Sequence, residues 1–425
     1  MRNTLVLLHR YAGLAMTAFL VIVGLTGSIL AFSTSLERLI APELFARANG
    51  GTPLDAAALI ERGQALDPRL RVVGVSVKDG DRALLHFIPR VDPATGKRYQ
   101  LDFNQLFIDP FTGRELARRR LGDLSQGRIN WMPFVLDLHM NLVLPRPIGG
   151  PLLGWIALLW TLDCFVALYL TWPRRHSPST RGTGASWLAR WVSFWWVKWD
   201  RSTFRLNFDL HRASGLWTWL LMLMFAWSSV YLNLHRVYAP VTRAFLDYPA
   251  NNNNMGGGPP RLAEPLDAPA LDWSQAQEHA TAELTKVGLN VRRVESLSYS
   301  PAQGVYTFRV ATNLDIQTVG GRTFVMVDGN TGSLAQLRLP SGQHSGLTFT
   351  NWIYALHMAN VFGLPYRILV FVSGLVLTLL SVTGVYIWLK KRSFRKHAST
   401  LAARSRAEID TGAPASVAPC SDGGR

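Results

Sequence analysis

Two short histidine phrases each occur twice in this chain, in the same order. The first is Leu8-His9-Arg10-Tyr11-Ala12-Gly13-Leu14, repeated as Leu210-His211-Arg212-Ala213-Ser214-Gly215-Leu216. The second is Leu138-His139-Met140 after Asn130-Trp131, repeated as Leu356-His357-Met358 after Asn351-Trp352. A neutral imidazole gives its lone pair to a transition metal, and two from facing helices make haem iron six-coordinate and suited to electron transfer. The spacing predicts two such axial pairs, His9 with His211 and His139 with His357. Arg10 and Arg212 are then placed to neutralise haem propionates, and Gly13 and Gly215, one helical turn on, let a flat macrocycle or a helix come close. Trp131 precedes His139 by eight residues and Trp352 precedes His357 by five. That difference is near one helical turn, so both histidines keep the same helical face before Pro145 and Pro365 turn the chain.

Cysteine usage narrows the cofactor. Cys164 and Cys420 are the only two, too few for a cysteine-ligated iron–sulfur cluster, and no CxxCH sequence attaches a c-type haem. Two non-covalent b haems are the expectation, and histidines that merely sit at a polar interface are the alternative. His235 closes the third span with no counterpart in the first half; it could replace a partner in the second pair or serve a substrate site, with a satisfied interfacial histidine as the commoner reading. His86, His176, His279, His344 and His397 lack repeat partners and read as surface residues. Asp163 is the one carboxylate inside an apolar span, where acids often move protons or fix a tautomer. Its repeat position is Leu379, so the duplication does not support it. The Arg118-Arg119-Arg120 run reads as a solvated cationic loop, with attraction of an anionic substrate as the alternative. No phosphate-binding loop, dinucleotide fingerprint, HExxH motif or nucleophile elbow occurs.

The elements that must position these residues are membrane spans. The 425 residues are 48% hydrophobic and 17% charged, a composition that calls for spanning segments. Four are long enough for a bilayer core: 11–33, 151–173, 213–234 and 365–389. The first lacks a cleavage site and is read as a retained helix. The net charge of +16 is uneven: segments 1–10, 174–212 and 390–425 carry 18 Lys/Arg against 5 Asp/Glu, and segments 36–150 and 236–367 carry 26 against 22. Short basic segments stay in the cytoplasm. Both termini and the 174–212 loop are therefore expected inside, with the long segments in a bacterial periplasm. The charge is a topology signal, and nucleic acid is not an expected partner.

Each half reads as span, outward domain, histidine-bearing stretch, span and basic end. The fold class expected is an integral membrane protein, mainly α, with four transmembrane helices from a tandem duplication and two outward α+β modules. In residues this is 1–35 (helix 1), 36–128 (module 1), 129–146 (ligand segment), 147–175 (helix 2) and 176–209 (basic, Trp-rich loop). The second half continues with 210–236 (helix 3), 237–345 (module 2), 346–363 (ligand segment), 364–392 (helix 4) and 393–425 (a tail). Module 1 should hold a helix at 54–66 and strands at 70–78, 82–90 and 104–109. Module 2 should hold a helix at 273–287 and strands at 291–300, 304–312 and 322–328. Asp109-Pro110-Phe111-Thr112-Gly113 and Asp328-Gly329-Asn330-Thr331-Gly332 read as matched hairpin turns. The stretch 186–199 reads as a surface anchor rather than an electron relay. Residues 251–260 read as a flexible connector and 398–425 as a disordered tail.

With these residues in place, the chain resembles the PepSY-associated transmembrane-helix family of the bacterial inner membrane, which includes ferric-siderophore reductases. The resemblance covers about residues 1–397 and rests on the His-Arg-x-x-Gly-Leu phrases, the two Leu-His-Met stretches and the Asp-x-x-Thr-Gly turns. It implies a four-helix protein with two haem b, two periplasmic PepSY-type modules and a link to iron acquisition. The family's histidines fall on His9, His139, His211 and His357. The implied partners are a periplasmic ferric siderophore or other iron chelate as acceptor, quinol or a cytoplasmic reductase as donor, and the bilayer. A PepSY-based binding or regulatory protein, or a siderophore or iron transporter, are the alternatives.

Overall fold

The computed structural model of the protein describes residues 1–47, 51–78, 80–173, 186–249 and 258–410. Most of the expected 251–260 connector and residues 411–425 of the expected tail lie outside these. Four helices are long and apolar enough to cross a membrane: α1 (Arg2–Leu30), α5 (Arg146–Thr171), α7 (Thr203–Asn233) and α11 (Gly363–Asp410). Their exposed side chains include Leu25, Trp155, Leu162, Phe165, Leu220, Leu369 and Val372. Such continuous apolar surface is stable against lipid tails and unstable against water. Helix α11 runs on to Asp410, past position 398, where the sequence reading placed the start of a loose tail. Residues 390–410 are rich in Lys, Arg and Ala, all good helix formers, which explains the extension.

The chain divides into two compact units. One comprises residues 1–17, 166–217 and 379–425. In it, the short helix α6 (Trp187–Val192) starts at Ser186, whose hydroxyl accepts the Ala189 N–H. Its rings join a run of contacts through Trp172, Trp187, Trp191, Trp195 and Trp217, with neighbouring centroids 5.1–6.1 Å apart. Trp217 donates its indole N–H to the Trp195 carbonyl at 3.0 Å. The 186–199 stretch is thus packed onto α7 through aromatic faces, as amphipathic rings at a headgroup boundary require.

The other unit holds residues 18–165 and 218–378, including all the strands. Helix α2 (Ser33–Ile40) precedes α3 (Ala56–Leu66), then β1 (Leu70–Lys78), β2 (Arg82–Pro89), β3 (Gln105–Ile108) and β4 (Glu115–Arg119). Helix α4 (Trp131–Asn141) leads into α5. After α7 come α8 (His235–Phe245), α9 (Trp273–Lys286), β5 (Arg293–Ser300), β6 (Val305–Ala311), β7 (Thr323–Asp328), β8 (Leu334–Arg338) and α10 (Ser345–His357).

Helices α3 and α9 begin on aspartates. Asp55 accepts the Ala58 N–H at 2.7 Å, and Asp272 forms a reciprocal capping box with Gln275, as the preference for Asp at the N-cap dictates. Both expected turns are hairpins, β3 to β4 and β7 to β8. Asp109 and Asp328 accept backbone N–H groups two and three residues on, and Gly113 and Gly332 each take a φ of 70°. At Gly332 a Cβ would meet the His279 ring of α9 at 2.6 Å, so His279, exposed at the surface as expected, lies against the turn.

Two separate modules were expected, and the structure joins them. All strands form one eight-stranded sheet in the order β4-β3-β2-β1-β5-β6-β7-β8. The junction is antiparallel, with Gly74 opposite Ser298, Val75 opposite Leu297 and Ser76 opposite Ser296. A Cβ at Gly74 would lie 2.6 Å from the Leu297 carbonyl oxygen, so only glycine admits β5 here. Pairing satisfies the N–H and C=O groups that two free edges would expose. Leu59 and Ile60 of α3, Ala280 and Leu284 of α9, and Val75 and Leu297 share one core.

The Arg118–Arg120 run is the second correction. Arg118 and Arg119 belong to edge strand β4, not to a loop. Arg118 pairs with Glu115 and Asp67, Arg119 is buried against Glu37, and Arg120 donates to the carbonyls of Leu101 and Asp102. Arg118 and Arg119 are thus ion-paired within the sheet-bearing unit, while Arg120 stays exposed, as the reading of a solvated cation expected. Asp67 is buried and accepts from Arg69 at 2.7 Å and Arg118 at 2.9 Å. Hydrogen bonds from Arg69, with help from Arg118 against the opposing effect of burial, hold its carboxyl down at about 2. Its folded value lies below the ordinary 3.8, so its stabilisation is complete above that pH and is lost as pH falls through about 2. Asp67→Asn should cost about 2 kcal/mol at neutral pH. Thermal unfolding in detergent, followed from pH ~5 to ~2, should show a steeper loss for the wild type than for the variant.

Candidate functional site

His9 lies on α1 and His211 on α7, and the structure brings their rings to a centroid separation of 6.2 Å at 60°. His139 closes α4 and His357 closes α10, and their rings lie 6.4 Å apart at 70°. Two imidazoles that share one metal through their ring nitrogens, from opposite sides, should have ring centres roughly 6.2 Å apart, from a metal–nitrogen bond of about 2 Å plus about 1.1 Å to each ring centre. Both pairs fit that spacing.

The tautomers fit as well. His211 Nδ1 lies 3.0 Å from the Leu380 carbonyl oxygen. A carbonyl only accepts, so Nδ1 carries the proton and Nε2 keeps its lone pair. Thr26 donates its hydroxyl to the Ile22 carbonyl at 2.6 Å, leaving its oxygen to accept from His139 Nδ1 at 2.9 Å. Ser228 repeats the arrangement, donating to the Phe225 carbonyl at 3.0 Å and accepting from His357 Nδ1 at 2.6 Å. In all three the Nε2 lone pair is available to a metal, and the partner fixes the ring's orientation.

The hydroxyl partners were missed in the sequence, although their signal was there. Thr26 follows His9 by seventeen residues, and Ser228 follows His211 by the same number. Glycines make room for the rings: a Cβ at Gly27 would stand 3.1 Å from His139, and one at Gly384 would stand 3.3 Å from His211. Around Gly13 a Cβ would meet nothing within 4 Å, and at Gly215 only Leu380 at 3.6 Å.

Backbone strain marks the second pair. Among the described residues, positive φ outside glycine occurs only at Leu142, Val143, Ala359 and Phe362. All four follow His139 or His357 within five residues. Left-handed backbone at a β-branched valine is unfavourable, and such conformations concentrate at functional sites. Burial pushes His139 down to about 4 and His357 down to about 3. Both imidazoles are therefore neutral at physiological pH, the form that ligates.

The neighbouring residues are placed as follows. Arg212 donates to Asp209 at 2.9 Å and to the Phe194 carbonyl at 3.2 Å, which leaves its Nη1 donors for another anion. Arg10 is half-buried on α1 and makes no ion pair among the described residues. His235 packs among Tyr231, Tyr238 and Tyr248, with centroids 6.0–6.3 Å away, and not against His139 or His357. Asp163 is half-buried on α5. His344 pairs with Asp247 at 2.8 Å, His86 meets Ser76, and His176 lies outside the described residues.

No group of three or more His, Cys, Asp or Glu side chains able to hold a metal occurs among the described residues. Paired imidazoles without a third protein donor suit a metal whose other positions a macrocycle fills. The sequence pattern of the family described as the PepSY-associated TM region matches residues 6–391. No curated protein matches the chain.

Proposed function

Since the chain belongs to the family of the PepSY-associated TM region, we propose that this membrane protein is a di-haem b electron-transfer protein of the bacterial inner membrane. It reduces a periplasmic acceptor, a ferric siderophore, with electrons from quinol or a cytoplasmic reductase. We read the two halves as a tandem duplication, the joined sheet as two PepSY-like modules in the periplasm, and both termini as cytoplasmic. The observation that carries the reading is the facing of two histidine pairs at 6.2 and 6.4 Å.

A haem held by each pair supplies reversible one-electron transfer. The chain's own residues do the rest. Leu380, Thr26 and Ser228 hold the ring protons of His211, His139 and His357 on Nδ1, so the ligating lone pair needs no deprotonation. Apolar surroundings exclude water and resist charging of the rings. Arg10 and the free donors of Arg212 are suited to the propionates of a haem on His9 and His211. Reduction of ferric iron releases it because hard oxygen donors bind the ferrous ion more weakly.

Anaerobic mixing of the dithionite-reduced protein with a ferric siderophore tests the reading. Loss of the reduced haem absorption should accompany formation of Fe(II), trapped by a ferrous chelator, and the gallium complex should cause neither. A reduced spectrum that persists in excess ferric siderophore would contradict the assigned acceptor.

A further inference from the structure

The turns that follow His139 and His357 are held from different sides. After His139, a Cβ at Gly149 of α5 would overlap the Asn141 carbonyl oxygen, to which Leu144 donates its N–H at 3.0 Å. The next helix itself thus closes that turn. After His357, the loop between β6 and β7 does the holding. The Asn360 carbonyl oxygen accepts both the backbone N–H and the hydroxyl of Thr318, at 2.8 and 2.9 Å. The Asn360 side-chain amide donates in turn to Gln317 Oε1 at 3.2 Å.

This loop is rooted at both ends. Leu314 packs against the core of the sheet. Ile316, two residues on, packs against the cluster of Ala355, Ala359, Val361 and Tyr366 around the end of α10. Phe225 joins that cluster, and its ring meets the His357 ring edge-on at 5.5 Å. Asp315, between the two anchors, braces the loop. Its carboxylate accepts the Thr312 N–H at 2.8 Å, the Thr323 hydroxyl at 3.1 Å and the Arg322 N–H. Thr312 and Thr323, just past β6 and at the start of β7, are fully buried. A loop so braced moves with its strands and not on its own.

The loop between β2 and β3 is closed on itself instead. Asp92 accepts the N–H groups of Ala94 and Gly96, Val91 bridges Arg98, and Arg120 holds Leu101 and Asp102. The turn that the β6–β7 loop reaches is also a strained one. Ala359 and Phe362, flanking Asn360 and Val361, take φ of 53° and 56°. Left-handed backbone at such residues persists only where the surroundings over-determine it. Ile316 and Thr318 supply part of that constraint, one residue or a few beyond His357.

We propose that Ile316 and Thr318 are positioning residues for His357, the β6–β7 loop being a strap through which the sheet sets the orientation of one imidazole. The partners that orient an axial ligand also tune the metal it binds, so the strap gives the sheet a hold on the second histidine pair. His9 and His211 share none of these contacts. The consequence for a haem rests on the function proposed above; the strap itself does not.

The double variant Ile316→Ala, Thr318→Val of the full-length purified protein tests this, with Thr318→Ser as the conservative control and circular dichroism to verify folding. Hydrogen exchange at 358–363 should quicken about tenfold or more in the double variant and stay at the wild-type rate in Thr318→Ser. The reduction potential and low-spin EPR signal of the haem on His139 and His357 should shift, and those of the haem on His9 and His211 should not. In protein without haem, carbethoxylation of His357 relative to His211, followed by mass spectrometry, takes the place of the potential and should rise. Unchanged exchange at 358–363 overturns the proposal. So does an equal shift of both haems, or faster exchange with neither the potential nor the reactivity of His357 altered. A wild type that binds no haem contradicts the function proposed above and leaves the strap to be decided by exchange and carbethoxylation, so the two failures are distinguishable.

Discussion

His357→Ala should leave the purified protein with one haem in place of two, while His9→Ala should remove the other. The expectation follows from the pairing: His357 faces His139 at 6.4 Å and His9 faces His211 at 6.2 Å. Loss of one axial imidazole leaves its haem with a single protein ligand. The partner pair shares none of the residues that hold it, so its spectrum should persist. Ser228→Ala offers a graded version of the same test. It removes the acceptor that holds the Nδ1 proton of His357 and keeps both ligands, and outer-shell partners of this kind are worth roughly 10–100-fold in metal affinity. The variant should therefore lose haem on dilution or dialysis while His9 and His211 retain theirs. Pyridine haemochrome quantification of each variant measures both outcomes. Loss of the same haem in His357→Ala and His9→Ala would show that the pairing is wrong.

Glu37→Gln should destabilise the sheet-bearing unit by about 3–5 kcal/mol, the cost of leaving buried charges without their partner. The side chains of Glu37, Arg82 and Arg119 are only 12%, 8% and 7% exposed, and the arginines lie over Phe45 and Phe107. Burial pushes the Glu37 carboxyl upward, but Arg82 and Arg119 together outweigh it and hold it below 4.5. Its stabilisation is thus present above that pH and is lost on acidification. Replacing all three with apolar residues of similar volume, as Glu37→Leu, Arg82→Met and Arg119→Met, should recover most of the loss, because no charge is then left buried alone. Thermal unfolding of the two variants beside the wild type checks both statements. Equal destabilisation by the single and triple replacements would show that the triad's packing, not its charge, is what matters.

Much of this arrangement is legible in the sequence because it is local. The repeated phrases around His9 and His211 identify positions on helices, and apolar length identifies the spans. Asp109 and Asp328 mark turns by their own side-chain chemistry. What could not be read is what distant residues decide. Arg118 and Arg119 look solvated in the sequence because Asp67 and Glu37, which pair with them, lie 51 and 82 residues away. The joining of β1 to β5 depends on a close approach at Gly74, and nothing in either strand names its neighbour. The short strands β4 and β8 carry charged and polar residues on one face, so they lack the apolar runs that mark β1 or β7. The hydroxyls of Thr26 and Ser228 lie between these cases, being local in spacing but meaningful only once α4 and α10 bring histidines to them.

The central claim is that each histidine pair binds one haem. A reduced-minus-oxidised absorption spectrum of the purified wild-type protein, with its haem quantified against protein, tests it most directly. The account predicts the sharp α-band of low-spin bis-histidine haem b at two haems per chain. A featureless difference spectrum from a folded preparation expressed with ample haem would contradict it.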